Sequence, residues 1–350
     1  MTARPRLLAL ATALPPHEMG QEDVTVLARR IFDRMATAEL DRLMPVFANA
    51  GIERRYSCVP IDWYETPHGW VERNALYLDH AVRLLESAAR DALAEAQLTP
   101  DAIDAVVCVS TTGIATPSLD AMLIGRLGLR SDVRRLPIFG LGCAGGVIGL
   151  ARAGDLARAA PESLVLLLVV ELCALSFRKN DGSKSNLVAA ALFGDGAAAA
   201  LVSCRGSGPA FGAAGEHTWP NSLEVMGWEV ADDGLKPLFS RDIPSLVQRE
   251  LRGAAERFLA RQQLTLNDIR HFVCHPGGAK VITALEEAFR LMPGTLDAAR
   301  SVLRDYGNMS AVTVLFVLAR MLRDGAAGRM LLTALGPGFT AGFQLLDTAS

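Results

Sequence analysis

The sequence holds six cysteines, Cys58, Cys108, Cys143, Cys173, Cys204 and Cys274, and no two of them form a CxxC pair. No histidine stands at ligand spacing from any of them, so no zinc or other metal site is expected. Neither sign of charge dominates. Thirty-five basic and 38 acidic residues leave a net charge of −3, with no tail of either sign. Recognition of nucleic acid or a membrane surface through bulk charge is therefore not expected. Long apolar runs are missing as well. The most apolar stretch, 164–177, is interrupted by Glu171 and is shorter than the ~18 residues a membrane span requires. The start of the chain has a basic head and an apolar stretch, 7–14, as a secretory leader would. That stretch is short and Pro15-Pro16 follows at once, so an opening β-strand is the better reading. Three disulfides would need an exported chain, and the pattern instead describes a reduced, soluble, cytoplasmic protein.

What is present is core material. Of 350 residues, half are apolar and 21% are charged, enough for two core-forming units. The chain also repeats itself. Gln97-Leu98-Thr99, Ile103 and Val107-Cys108 recur as Gln263-Leu264-Thr265, Ile269 and Val273-Cys274, each displaced by 263 − 97 = 166 positions. The same shift carries Gly142 onto Asn308, and the apolar run 164–172 onto 330–338. Both copies follow a helix-like stretch; in the first, Val82, Leu85, Ala89, Ala92 and Ala96 share one side. A duplicated α/β unit results, 1–203 and 204–350, with a Gly/Pro/Ser-rich linker at 206–222 and mainly parallel strands. A pseudo-two-fold of this kind puts a site between the halves.

Three turns carry reactive groups. Cys143 lies in Gly140-Leu141-Gly142-Cys143-Ala144-Gly145-Gly146, between an apolar strand and a helix. That is the layout of a nucleophile elbow, in which the helix N-terminus favours negative charge on the sulfur. His275 ends the strand 272–274 ahead of Pro276-Gly277-Gly278. Asn308 occupies the turn that the duplication matches to that of Cys143, just before the apolar run 312–322. Each alone has an ordinary structural explanation: a buried thiol, a packing histidine, a helix-capping asparagine. Together they hold equivalent positions in two related halves.

These segments, with Leu192-Phe193-Gly194-Asp195-Gly196, Tyr306-Gly307-Asn308-Met309-Ser310 and Gly336-Pro337-Gly338, are similar to the signatures of type III polyketide synthases. Those are the chalcone-synthase-like members of the thiolase superfamily. The resemblance runs from about Leu7 to Leu346. It implies a five-layered αβαβα thiolase-like fold of two duplicated halves, a homodimer, and no cofactor beyond the CoA thioester substrates. Cys143 would be the nucleophile that carries the acyl group. His275 would keep it as thiolate and, with Asn308, bind the malonyl-CoA carbonyl. Phe193 would be a gatekeeping aromatic, Gly277 and Gly278 would let the pantetheine arm pass, and Ser310, Gly336, Pro337 and Gly338 would line the substrate cavity. Arg42 aligns with the family's basic residues for CoA phosphates, whereas Pro45 and Asn49 do not; Arg54 and Arg55 would assist.

The cavity departs from the plant enzymes. Thr111 matches a lining threonine, but Cys173 and Ser176 replace two others. Pro237 stands at a second gatekeeping Phe, Thr116 at a dimer-crossing Met, and Trp228 at a Gly. The wording of 110–117 and 138–143 resembles bacterial alkylresorcinol and alkylpyrone synthases, which extend a long-chain fatty acyl-CoA starter with malonyl-CoA. Small side chains at Thr116, Ser176 and Pro237 would leave room for an alkyl tunnel that Trp228 could narrow. The nearest rival is an initiating β-ketoacyl-acyl-carrier-protein synthase, with an acyl-carrier protein as donor. A Cys-His-Asn hydrolase is a further rival, though the papain-type surround of the cysteine is missing.

Overall fold

The computed structural model of the chain describes residues 4–32, 37–179, 181–240 and 242–348. The first half supplies β1 (Arg6–Ala13), β2 (His17–Gly20), β3 (Arg54–Ser57), β4 (Ala105–Val109), β5 (Arg134–Ile138), β6 (Leu164–Leu172) and β7 (Asp195–Ser203). The second adds β8 (Ala210–Thr218), β9 (Met226–Ala231), β10 (Gly234–Phe239), β11 (His271–Cys274), β12 (Arg329–Gly336) and β13 (Thr340–Asp347). The opening apolar stretch is thus a strand, as its pattern suggested.

Every residue of β4, β6 and β7 is buried. Along β6, Val165, Leu167 and Val169 enter one core while Leu166, Leu168 and Val170 enter the other. A strand covered on both faces must be apolar at every position, which explains the near-unbroken run in the sequence. The large sheet is ordered β11-β12-β13-β8-β1-β7-β6-β4-β5 and is pinched in the middle, where β1 and β8 share one registered pair, Arg6 with Ala210. It therefore works as two sheets. The Trp70–Ala96 helix covers the outer face of the first, against β1, β6 and β7. The Gly145–Ala159 and Thr313–Arg323 helices lie between the sheets. On β13, Phe343 stacks on Phe258 of the outer Arg252–Ala260 helix at 5.3 Å, whereas its neighbour Gly342 faces Ile148 of the inner layer. Five layers, αβαβα, follow.

The duplication is written into the backbone. The order β8-β13-β12-β11 repeats β1-β7-β6-β4, and β5 extends the first half alone. Gln97 and Gln263, 166 apart, share the left-handed conformation at φ 55° and 58°. The bonds Leu98 N–H to Leu93 and Leu264 N–H to Leu259 recur with the same shift. Two expectations need correction. Pairing is mixed: β4–β5, β4–β6 and β11–β12 are parallel, while β6–β7, β1–β7, β12–β13 and β8–β13 are antiparallel. The turn from Gly336 to Thr340 is too short for the crossover that parallel strands need, so β13 must run back beside β12. The stretch 206–222 is also no plain linker, because β8 occupies most of it.

The two inner helices meet at their N-termini. A Cβ on Gly146 would stand 2.1 Å from the Ala311 carbonyl oxygen and 2.8 Å from Val314. Only glycine fits. Gly146→Ala should therefore lower unfolding stability by ~2 kcal/mol or more, as overpacking does. In Gly125→Ala, in the Leu119–Leu127 helix, the added methyl meets nothing within 4 Å. That change should stabilise by ~0.5–1 kcal/mol. Denaturant titration of both variants checks the contrast.

Candidate active site

Cys143 sits in the 3₁₀ turn Gly142–Ala144 at the head of the Gly145–Ala159 helix. Gly142 has φ +48° with Pro337 against it, and its N–H donates to Thr111 Oγ1 at 3.1 Å. His275 follows β11 directly, and its N–H donates to the Thr333 carbonyl at 2.9 Å. Asn308 is held by both backbone and side chain. Its N–H donates to Leu192 O at 2.8 Å, and its carbonyl accepts from Gly194 N at 3.0 Å. Its side-chain Oδ1 accepts from Ser310 N at 2.8 Å, and Nδ2 donates to Gly277 O at 3.1 Å. The amide cannot turn, and one Nδ2 hydrogen is left over.

Cys143, His275 and Asn308 line one cavity of about 700 Å³. Gly277, Gly278, Leu335 and Phe239 share its wall, and so does Thr333, whose hydroxyl has no protein partner. Neither nitrogen of the His275 ring has a partner either, although the residue is only 5% exposed. Burial dominates the electrostatics. It pushes the Cys143 thiol up to about 12, opposed by a hydrogen bond from the Ser310 side chain and reinforced by Glu171. It pushes His275 down to about 3. Burial thus works against the charged form of each group, and any thiolate on Cys143 has to be sustained by its neighbours. A neutral imidazole beside a neutral thiol can act as base and then as hydrogen-bond donor.

Comparison with known proteins identifies the family. Residues 2–209 match the model for the N-terminal domain of chalcone and stilbene synthases, and residues 211–347 the model for their C-terminal domain. A 1,3,6,8-tetrahydroxynaphthalene synthase of Streptomyces peucetius subsp. caesius is 41% identical over 97% of this chain and 92% of its own. A Bacillus subtilis (strain 168) protein named for chalcone synthase activity is 39% identical over 97% and 98%. The crystal structure of the tetrahydroxynaphthalene synthase of Streptomyces coelicolor A3(2), a bacterial type III polyketide synthase, superposes with a TM-score of 0.94 at 29% identity, covering 99% of each chain. The chain belongs to the chalcone and stilbene synthase family. It is a type III polyketide synthase, an acyltransferase of the decarboxylative Claisen type, with the thiolase-like fold of that group.

Not every site residue expected of this type III polyketide synthase lies at the cavity. Arg42, Gly277 and Gly278 line it. Thr111 holds the Cys143 turn, and Ser310 contacts the sulfur. Pro337 abuts Gly142, Gly336 packs against Leu141 and Ala144, and the Gly338 carbonyl accepts from Ser222 Oγ. Those three glycine-proline positions build the turn rather than the cavity wall. Cys173, Ser176 and Phe193 line a separate, narrow cleft of about 40 Å³ that runs to Val24, Leu27 and Ile31. Thr116 and Pro237 line neither space; Pro237 faces Trp228 across the β9–β10 hairpin.

The cavity wall carries Phe239, two residues further on, edge-on to Phe193 at 5.6 Å, with Trp228 5.9 Å from Phe193. Lys184 and Lys280, also in the cavity wall, were missed; each lies in the first turn of a helix beside a site loop, a signal the sequence did carry. Arg54 stays outside, 3.9 Å from Asp305. Arg55 is corrected outright: it is 1% exposed and bound to carbonyls, so it cannot reach a phosphate. Among the described residues no cluster suited to a metal ion occurs.

Glu171 was seen only as an interruption of an apolar run. Its Oε2 accepts from Thr111 N, Thr112 N and Thr112 Oγ1, and burial pushes the carboxyl up to about 8. The folded chain therefore keeps a proton that the unfolded chain has released, and stability falls as pH rises from about 5 to 8. Asp195, pushed up to about 7 by burial, acts in the same direction. Glu171→Gln should reduce that fall by ~1 kcal/mol or more, measured as unfolding free energy against pH. An unchanged slope would show Glu171 ionised in the fold.

Proposed function

We propose that Cys143 carries the growing chain and that His275 and Asn308 activate malonyl-CoA beside it. The observation that carries this reading is the meeting of the three groups in one cavity, with the Asn308 amide locked and the His275 ring free of protein partners. The Cys143 sulfur attacks the starter thioester as its proton passes to His275. CoA then leaves as its thiol, taking that proton back. Malonyl-CoA next places its thioester carbonyl against the free Asn308 N–H and the His275 N–H. The bond to the carboxylate breaks, CO2 departs, and the electron pair becomes an enolate whose oxygen the two donors hold. The enolate carbon attacks the Cys143 thioester, and the sulfur leaves. Arg42, Lys184 and Lys280 supply cations for CoA phosphates, or for the phosphopantetheine of an acyl-carrier protein donor.

The space behind the aromatic cluster supports a small starter. The cleft behind Phe193 holds about 40 Å³, room for about three waters. A long alkyl chain does not fit there, and the Phe193–Trp228–Phe239 cluster stands at the gate. A small starter, malonyl itself included, suits this shape, and similarity to tetrahydroxynaphthalene synthases supports it. The long-chain starter with alkylpyrone or alkylresorcinol product is the second reading, favoured by the apolar lining of the same cleft by Val24, Leu27, Ile31 and Phe177. The edge strand β5, with exposed Leu136 on it and exposed Phe139 just beyond it, supports a homodimer formed on that edge.

Incubation with malonyl-CoA and acyl-CoAs of graded length should give products weighted to short starters. A preference for the longest would select the second reading. Asn308→Ala should slow release of CO2 from malonyl-CoA by about a hundredfold or more, the usual cost of losing one oxyanion donor. An unchanged rate would remove Asn308 from the enolate site.

A further inference from the structure

Arg55 projects from β3 into the interior, and its stem lies against Gly194 and Gly307. Its guanidinium donates to Ala190 O at 2.7 Å and Phe193 O at 3.0 Å through Nη1, and to Ala191 O at 2.6 Å and Gln21 Oε1 through Nη2. Gln21 closes the ring, its Nε2 donating to Ala191 O at 3.2 Å and Phe47 O at 2.9 Å. Ala190, Ala191 and Phe193 are the end of the Lys184–Leu192 helix, whose orphan carbonyls and negative dipole end suit a cation. The segment just beyond is bonded to Asn308 on both sides of its peptide, through Leu192 O and Gly194 N. A Cβ on Gly194 would stand 2.5 Å from Tyr306 O, so the two segments are pressed together over the Arg55 stem. Phe193 and Asn308 thus hang on one helix end held by one buried cation.

We infer that Arg55 is a positioning residue for the synthase: its guanidinium clamps the end of the Lys184–Leu192 helix and thereby sets Asn308 at the enolate site and Phe193 at the gate. The inference rests on the role given to Asn308 above. Lysine offers a point charge in place of a planar fork and cannot reach three carbonyls and an amide together. Loss of the clamp should move Asn308 while leaving the Cys143 turn in place, since Thr111 and Pro337 hold that turn independently.

The test compares two steps in Arg55→Lys and Arg55→Met: CO2 release from malonyl-CoA, which uses Asn308, and acylation of Cys143 by hexanoyl-CoA, which does not. CO2 release should fall at least tenfold relative to acylation. Adding Arg55→Met to Asn308→Ala should cost less than a further twofold, because the two changes act through one group. Equal loss of both steps in folded variants, or multiplying losses in the double variant, overturns the inference. Should the Arg55 variants not fold, Gln21→Leu takes their place and should shift the same ratio by threefold or more; no shift overturns it. A wild-type protein that releases no CO2 would instead contradict the reading of Asn308 itself.

Discussion

The structure depends on how closely two helix N-termini can approach each other. The Gly145–Ala159 helix presents Cys143, and the segment leading into the Thr313–Arg323 helix presents Asn308. With Gly146 lying on the Ala311 carbonyl, no side chain separates these ends, and groups from the two halves reach one chamber. The halves repeat each other in strand order and backbone conformation, yet they deliver different chemistry. The first gives a thiol. The second gives an imidazole from the strand β11 and an amide from the turn.

Dryness sets how those groups behave. Burial raises the thiol and lowers the imidazole, so each charged form costs more here than in water. Charge that develops on substrate, as an enolate or a departing sulfur, meets an Asn308 donor already fixed in place. The fixed donors need their own support. Asn308 is held by Gly277, Ser310 and the helix end that Arg55 clamps, while Thr111 and Pro337 hold Cys143. Glu171 lies behind the Thr111–Thr112 turn, with its Oε1 unpartnered. The apolar strands β4, β6 and β7, buried on both faces, form the rigid floor on which this arrangement is built.

Much of this was legible in the residues. The 166-residue repeat anticipated two matched halves, and the glycine-flanked Cys143, His275 and Asn308 turns anticipated one shared cavity. Strand direction was not legible, since apolar runs do not distinguish a parallel neighbour from an antiparallel one; β13 turns back because its connection is short. Nor was the fate of individual cations. Arg54 and Arg55 are adjacent in sequence, but alternation along β3 sends one outward and the other into the core. Phe239, which no sequence motif marked, packs edge-on against Phe193 because the β9–β10 hairpin folds back over that residue.

Chain extension on this protein requires covalent capture at one sulfur. Intact-protein and peptide mass spectrometry after brief incubation with malonyl-CoA and a starter thioester measures it directly. Acyl adducts confined to the peptide bearing Cys143, lengthening by two-carbon units with time, are the predicted result. An unmodified Cys143 during turnover, or adducts spread over Cys58, Cys173 and Cys204, would contradict it.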